Sequence, residues 1–85
     1  MHKIIKNIIH VVTASYDLKN VPNPQEMDAR LKSIAGRQPD ARGVAVTTDL
    51  RDMSWDCDSE EAASILSDKL QELPNVTVET TELED

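Results

Sequence analysis

The densest group of residues that could do chemistry is a run of carboxylates in the second half of the chain. The run comprises Asp49, Asp52, Asp56, Asp58, Glu60 and Glu61. Hard cations such as Ca²⁺ and Mg²⁺ prefer carboxylate oxygens, so a metal site is one interpretation. The loop glycine of a calcium-binding helix–loop–helix is absent, however, and strand alternation followed by an acidic helix start accounts for the same acids. We therefore expect no metal and interpret the run as charge that faces solvent or a partner.

The histidines and the cysteine form no recognisable site. His2 and His10 are isolated from Cys57 in the sequence, whereas structural zinc takes four ligands from closely spaced pairs. Cys57 alternates with Met53 and Trp55, which predicts a small buried residue rather than a nucleophile. Phosphate loops rich in glycine, nucleophile elbows and paired-cysteine motifs are absent from the sequence. We therefore expect a protein that is not an enzyme and needs no cofactor.

The first of two predicted helices begins after Asn23, which can cap it, and stops at Gly36. Its inward positions are Met27, Leu31 and Ile34. Its outward positions are Asp28, Arg30 and Lys32.

The second predicted helix begins after Asp58 or Ser59. Glu60 and Glu61 then lie in its first turn, where negative charge complements the helix dipole. Its inward face carries Ala62, Leu66, Leu70 and Leu73, with Ile65 beside them. Pro74 and Asn75 break the helix.

The remaining segments are predicted to be strands. Residues 43–50 are rich in Val and Thr, and the alternation of residues 53–58 is typical of a half-buried strand, with Asp49 to Asp52 as the turn between them. Val76 and Val78 belong to another strand. The apolar residues of segment 3–14 fit both a helix and a strand, and we favour the strand because many of them are β-branched.

The resulting order, strand–helix–strand–strand–helix–strand, resembles the ferredoxin-like plan. The resemblance implies an α+β fold with two helices on one face of a four-stranded antiparallel sheet. A helical first segment would instead leave a three-stranded sheet. We expect residues 1–85 to form a single domain, with 82–85 as a frayed acidic tail. Because the ferredoxin-like plan serves many functions, it implies no mechanism.

One face of the predicted sheet stays open. The side chains predicted to face the helices are Met53, Trp55, Cys57, Val76 and Val78. The acids predicted to bind a partner are Asp49, Asp52, Asp56, Asp58, Glu60, Glu61 and Glu79. If Ile9 and Val11 face the helices, then Ile8, His10 and Val12 form an apolar stripe on the open face, typical of an interface with a partner or a second copy. The alternative is that the C-terminal segment or a loop covers this stripe.

The net charge of −7 is distributed unevenly. Residues 1–45 carry seven Lys/Arg and four Asp/Glu, a net of +3, whereas residues 46–85 carry two and twelve, a net of −10. Proteins that bind nucleic acid do so with clustered Lys and Arg, so the second half is not expected to bind it directly. The single cysteine favours a reducing compartment, and we expect a cytoplasmic protein without a signal peptide or membrane segment.

These features favour a non-enzymatic interaction protein whose acidic surface binds a basic partner. In size and charge the chain resembles small acidic phage proteins that block restriction or CRISPR effectors. The resemblance implies an inhibitor that mimics nucleic acid, acts in the host cytoplasm and occupies the basic site of a nucleic-acid-binding effector. The alternative is a small dimeric regulatory or ligand-sensing domain. A metal-dependent hydrolase ranks third, because it would depend on the carboxylate run alone.

Overall fold

The computed structural model describes residues 8–45 and 49–84. The order of its elements is β1 (Ile8–Asp17), α1 (Pro24–Ala35), β2 (Ala41–Ala45), β3 (Leu50–Cys57), α2 (Glu60–Gln71) and β4 (Val76–Glu84). The prediction of a small α+β domain with an antiparallel sheet and two helices is confirmed. The first segment, for which strand and helix were both open, is a strand over Ile8–Asp17. Residues 3–7 of that prediction lie outside the described residues.

The sheet is built around β1, which pairs antiparallel with β3 on one side and β4 on the other. Short strand β2 adds to the outer side of β3, which gives the order β2-β3-β1-β4. Val12 at the centre of β1 lies opposite Trp55 on β3 and Thr80 on β4. Directly opposite residues of antiparallel strands share a face of the sheet, so this register assigns every strand residue to one side.

The core lies between one face of the sheet and the two helices. Alternate residues of β1 and β3 are buried there: Val12, Ala14, Tyr16, Met53, Trp55 and Cys57. Val76 and Val78 pack partly buried against them. The predicted inward register of β3 and β4 is therefore confirmed.

Helix α1 begins and ends where the sequence predicts. The side chain of Asn23 accepts a hydrogen bond from the backbone N–H of Glu26 at 3.1 Å. Gly36 ends the helix in the left-handed conformation at φ 76°, which glycine adopts without steric cost. Met27 and Leu31 are buried as predicted. Asp28, predicted to face solvent, is instead half-buried against the sheet.

Helix α2 is capped by Ser59, whose hydroxyl accepts a hydrogen bond from the Ala62 N–H at 3.1 Å. Its inward face differs from the prediction by one position, because Ala63 rather than Ala62 is buried beside Leu70. This rotation leaves Ile65 49% exposed. The inward assignment of Ala62 was therefore wrong, and Ile65, placed beside the inward face, is exposed.

The strand boundaries also differ from those predicted. β2 starts at Ala41, two residues early, and β3 already starts at Leu50. The turn before β3 contains Asp49 at φ 53°, and residues 46–48 lie outside the described residues. β4 extends through Glu84, where it pairs with Ile8, so residues 82–84 of the predicted frayed tail belong to the sheet.

Neither helix of the described chain has the length and apolar character that crossing a membrane requires.

Candidate interaction surface

The open face is the side of the sheet that the helices leave uncovered. On the three longer strands it carries residues that alternate with the core residues: Ile9, Val11, Thr13, Ser15, Asp17, Leu50, Asp52, Ser54, Asp56, Thr77, Glu79, Thr81 and Leu83. These residues are half-buried or exposed, in contrast to the fully buried positions between them. The open face is thus accessible over the described part of the sheet.

One end of the open face is apolar. Ile9 on β1 lies directly opposite Leu83 on β4, and Val11 follows on the same side of β1. Leu83 is 55% exposed, while Ile9 and Val11 are half-buried. We call these three residues the apolar corner.

The predicted apolar stripe of Ile8, His10 and Val12 was assigned to the wrong face. Val12 is completely buried beside Trp55, and His10 lies in the same register, opposite Cys57. β1 carries apolar residues at both its odd-numbered and its even-numbered positions, so the sequence did not reveal which set faces the helices. A shift of one residue exchanges the faces of a strand. The apolar positions of the open face are consequently Ile9 and Val11.

The charged residues of the open face are all acidic. Asp52 and Asp56 on β3 and Glu79 on β4 share this face. Strand alternation predicted Asp56 and Glu79 there, whereas Asp52 was assigned to the turn before the strand. Asp17 at the end of β1 also belongs to it, although the sequence analysis did not select it; its period-two spacing from Ser15 was the available signal. Among the described open-face positions there is no Lys or Arg.

Hydroxyl groups occupy the centre of the open face. Thr13 and Ser54 lie opposite each other and form a hydrogen bond of 3.0 Å between their hydroxyls. Ser15, Thr77 and Thr81 extend this polar area. The open face therefore combines an apolar corner with hydroxyls and carboxylates.

The other predicted partner-binding acids lie elsewhere. Asp49 lies in the turn before β3, where its carboxylate pairs with Lys19 at 3.2 Å. Asp58 precedes the α2 cap, and Glu60 and Glu61 occupy the first turn of that helix. All three are exposed. The structure thus separates the carboxylate run into an open-face part, a turn and a helix start.

A hydrogen-bond network holds the end of β3, where Asp56 is located. Asp40 accepts a hydrogen bond from the Asp56 N–H at 2.8 Å, and Arg37 donates to the Asp56 carbonyl. Arg37 also pairs with Asp40 at 3.2 Å, and the Arg37 carbonyl accepts the Trp55 indole N–H at 3.2 Å. The network uses the backbone of Asp56, so its exposed carboxylate keeps its capacity to meet a cation.

On the helix-facing side, Tyr16, Asp28 and Arg51 form a second polar cluster. Arg51 donates to both Asp28 oxygens, through Nε at 2.8 Å and through Nη2 at 2.6 Å. The Tyr16 hydroxyl donates to Asp28 Oδ1 and lies 3.2 Å from the Pro24 carbonyl. Burial, reinforced by the hydrogen bond to Asp28, raises the pKa of the Tyr16 hydroxyl. The hydrogen bond to Asp28 raises the pKa of the Arg51 guanidinium. This cluster connects α1 to β1 and β3.

A cleft of about 820 Å³ lies where the end of α1, the end of β3 and α2 meet. Ile34 and Leu66 contribute apolar surface. The charged residues of the lining are two cations and three carboxylates: Arg37, Lys69, Asp40, Asp56 and Asp58. Cys57 also lines the cleft but is only 7% exposed. The cleft is wide enough for a small molecule.

His10 has one carboxylate and one thiol among its neighbours. Its Nδ1 lies 3.8 Å from a carboxylate oxygen of Glu82, and Cys57 is its neighbour on β3. Across residues 8–45 and 49–84, no group of three or more His, Cys, Asp or Glu side chains has an arrangement that could hold a metal ion.

Comparison with known proteins gives a fold but no family. No family model matches the chain, and no curated protein matches it. A solved structure of the uncharacterized protein TM1266 from Thermotoga maritima is similar, with a TM-score of 0.59 and 17% sequence identity. The similarity covers 93% of this chain and 99% of that one. It supports the small α+β fold alone.

Proposed function

We propose that this domain is a non-enzymatic protein-interaction module whose open face binds a basic protein partner. The observation that supports the proposal is the composition of that face. Asp52, Asp56 and Glu79 surround hydroxyls and the apolar corner, and the described open-face positions include no cation. The apolar corner would supply buried surface area, while the carboxylates select a partner with Lys and Arg at matching positions.

The carboxylates of Asp52, Asp56 and Glu79 on the open face are available for such a partner. The ion pairs found among the described side chains involve Asp28, Asp40, Asp49, Glu26 and Glu82 rather than the open-face acids. Complementary charge speeds association and weakens as salt screens it. Binding to a basic partner is therefore expected to decrease with ionic strength.

In its finer form, the proposal is that the module inhibits a nucleic-acid-binding protein by presenting carboxylates in place of phosphates. The strand order agrees with a ferredoxin-like plan, in which the central strands present one uncovered face. RNA-binding domains of similar layout use that face with aromatic and basic residues, whereas here it is acidic. Such an inhibitor would compete with nucleic acid for the basic site of its partner.

Affinity capture tests the location of the binding surface. The immobilised parent chain and the double variant Asp56→Asn/Glu79→Gln are exposed to lysate at low salt, and bound proteins are identified by mass spectrometry. We expect the parent to retain a basic nucleic-acid-binding protein that salt elutes and that nucleic acid displaces. The open-face variant should lose most of that protein, because it lacks two exposed carboxylates.

The matched control is Asp68→Asn/Glu72→Gln, which removes one aspartate and one glutamate at exposed positions on or next to α2. This variant has the same net charge as the open-face variant and should retain the partner. Equal loss from both variants would indicate a response to total charge and would contradict the open-face assignment. A partner that resists both salt and nucleic acid would contradict charge mimicry.

The cleft favours a second candidate function, a small regulatory or ligand-sensing domain. Its apolar lining and its mixture of two cations with the carboxylates of Asp40, Asp56 and Asp58 suit a small molecule that carries both charges. A thermal-shift screen separates the two candidates. A small zwitterion that raises Tm in the parent and not in Lys69→Ala would support the cleft, whereas Asp52→Asn/Glu79→Gln, which changes the open face outside the cleft, should respond like the parent.

A further inference from the structure

The outer edge of β4 is a long strand edge without a partner in the described chain. β4 contains nine residues, all paired on one side with β1. The register advances by one residue at each step from Ile8 opposite Glu84 to Tyr16 opposite Val76, so no bulge interrupts it. β4 contains no proline. An uninterrupted edge of about 30 Å is a template for another strand.

We infer that this edge pairs with the β4 edge of a second copy of the chain, antiparallel and centred on Thr80. Thr80 is the middle residue of Val76–Glu84, so this is the register that pairs all nine residues. The inference is independent of the basic-partner proposal.

The charge pattern of β4 fits this register. Centring on Thr80 places Glu79 opposite Thr81 and Glu82 opposite Val78 of the second copy, while the two Thr80 side chains meet at the two-fold axis. No two of these glutamates are directly opposite. Centring on Glu79 would place like charges directly opposite each other, which destabilises a strand pair. Threonine pairs across strands are favourable.

The same symmetry places the two open faces on one side. Opposite residues in an antiparallel pair share a face, and Glu79 and Thr81 both belong to the open face. The dimer would have one continuous sheet, with its helices on the other side. Both apolar corners remain accessible, so edge pairing leaves the proposed basic-partner surface open.

A charge exchange at the axis tests the register. Thr80 is exposed, so glutamate or lysine at this position adds a charge to the surface of the folded monomer. Because residue 80 meets its own copy, Thr80→Glu and Thr80→Lys each place like charges together at the axis. Each variant alone is expected to dimerise about fivefold more weakly than the parent, as like-charge pairs in sheets do. An equimolar mixture of the two should recover association through a Glu–Lys pair.

Sedimentation equilibrium measures the dimerisation, and native mass spectrometry identifies the mixed dimer. The parent should approach twice the monomer mass of 9.5 kDa, and its dimer should tighten with added salt, because each copy has a net charge of −7. Ser64→Glu, at an exposed position of α2, adds the same charge away from the edge and should dimerise like the parent.

Three outcomes overturn the inference: a parent chain that remains monomeric at about 1 mM, variants that dimerise as tightly as the parent, or a mixture that associates no better than its components. A dimer that survives both charge variants uses another surface, such as the open face. The opposite salt dependences of self-association and basic-partner binding distinguish failure of this inference from failure of the proposed function.

Discussion

Tyr16 is the residue whose chemistry depends most on folding. Its side chain is 1% exposed, and its hydroxyl donates a hydrogen bond to Asp28, which Arg51 also contacts through two nitrogens. Ionisation of Tyr16 would place a second negative charge beside the Asp28 carboxylate in a partly buried site. The folded state therefore favours the neutral phenol.

The pKa of Tyr16 predicts a loss of stability at alkaline pH. Burial raises this pKa in the folded state above the usual value of about 10. The unfolded chain then releases the proton first, so the stabilisation is complete below about pH 10 and decreases as pH rises toward the folded-state pKa. We expect the free energy of unfolding to decrease more steeply in the parent than in Tyr16→Phe above pH 10.

The measurement is urea unfolding from pH 7 to 11, with tyrosinate absorbance as a second readout, since Tyr16 is the only tyrosine. At pH 7, Tyr16→Phe should cost about 1 kcal/mol through loss of the hydrogen bond. Parallel pH profiles for parent and variant would contradict the expectation. The parent and Tyr16→Phe share all their other titrating groups, so a difference between the two pH profiles reports Tyr16.

At the scale of elements, the sequence predicted the helices better than the faces of β1. Asn23 and Gly36 mark the ends of α1 through backbone rules that operate locally, so both could be read directly. The orientation of β1 depends on contacts distant in the sequence. β1 is a central strand with apolar residues on both of its faces. Its sequence therefore has no alternation that shows whether Val11 or Val12 faces the helices.

The cap of α2 provides a prediction for a single element. Ser59→Ala removes the hydroxyl that accepts the Ala62 N–H, and should reduce the free energy of unfolding by about 1 kcal/mol. Amide exchange should accelerate most in the first turn of α2, while β1 amides follow global stability.

The control is Ser64→Ala in the same helix, where an exposed serine has no capping role. This substitution should leave stability unchanged or raise it by up to about 0.5 kcal/mol, because alanine has the higher helix propensity. Equal effects of the two substitutions would show that the cap contributes nothing beyond propensity.

At the scale of the whole molecule, the sequence showed where the acidic residues lie along the chain but not which surface of the fold each one occupies. The carboxylate run extends from Asp49 to Glu61, yet the chain leaves the sheet after Cys57 and enters α2 at Glu60. Asp56 consequently lies on the open face, whereas Glu60 and Glu61 lie at a helix start. A change of element in the middle of a charge cluster divides it among surfaces, which composition alone does not reveal.

The small core sets the tolerance of the molecule to substitution. Folded domains are stable by roughly 0.05–0.15 kcal/mol per residue, about 4–13 kcal/mol for a chain of this length. Leu31 is fully buried among core residues from the sheet and both helices. Leu31→Ala leaves a cavity and should cost about 2–5 kcal/mol, enough to unfold a large fraction of the chain if its stability is near the lower bound.

Ile65→Ala is the control, because Ile65 is 49% exposed on α2 and its truncation should change stability by less than about 1 kcal/mol. Urea unfolding followed by the fluorescence of Trp55 measures both variants, since this single tryptophan is fully buried. The sequence placed Leu31 on an inward helix face and Ile65 beside one, whereas the structure buries Leu31 and exposes Ile65. Similar losses for the two variants would mean that Ile65 packs inside the domain and that the observed rotation of α2 is wrong.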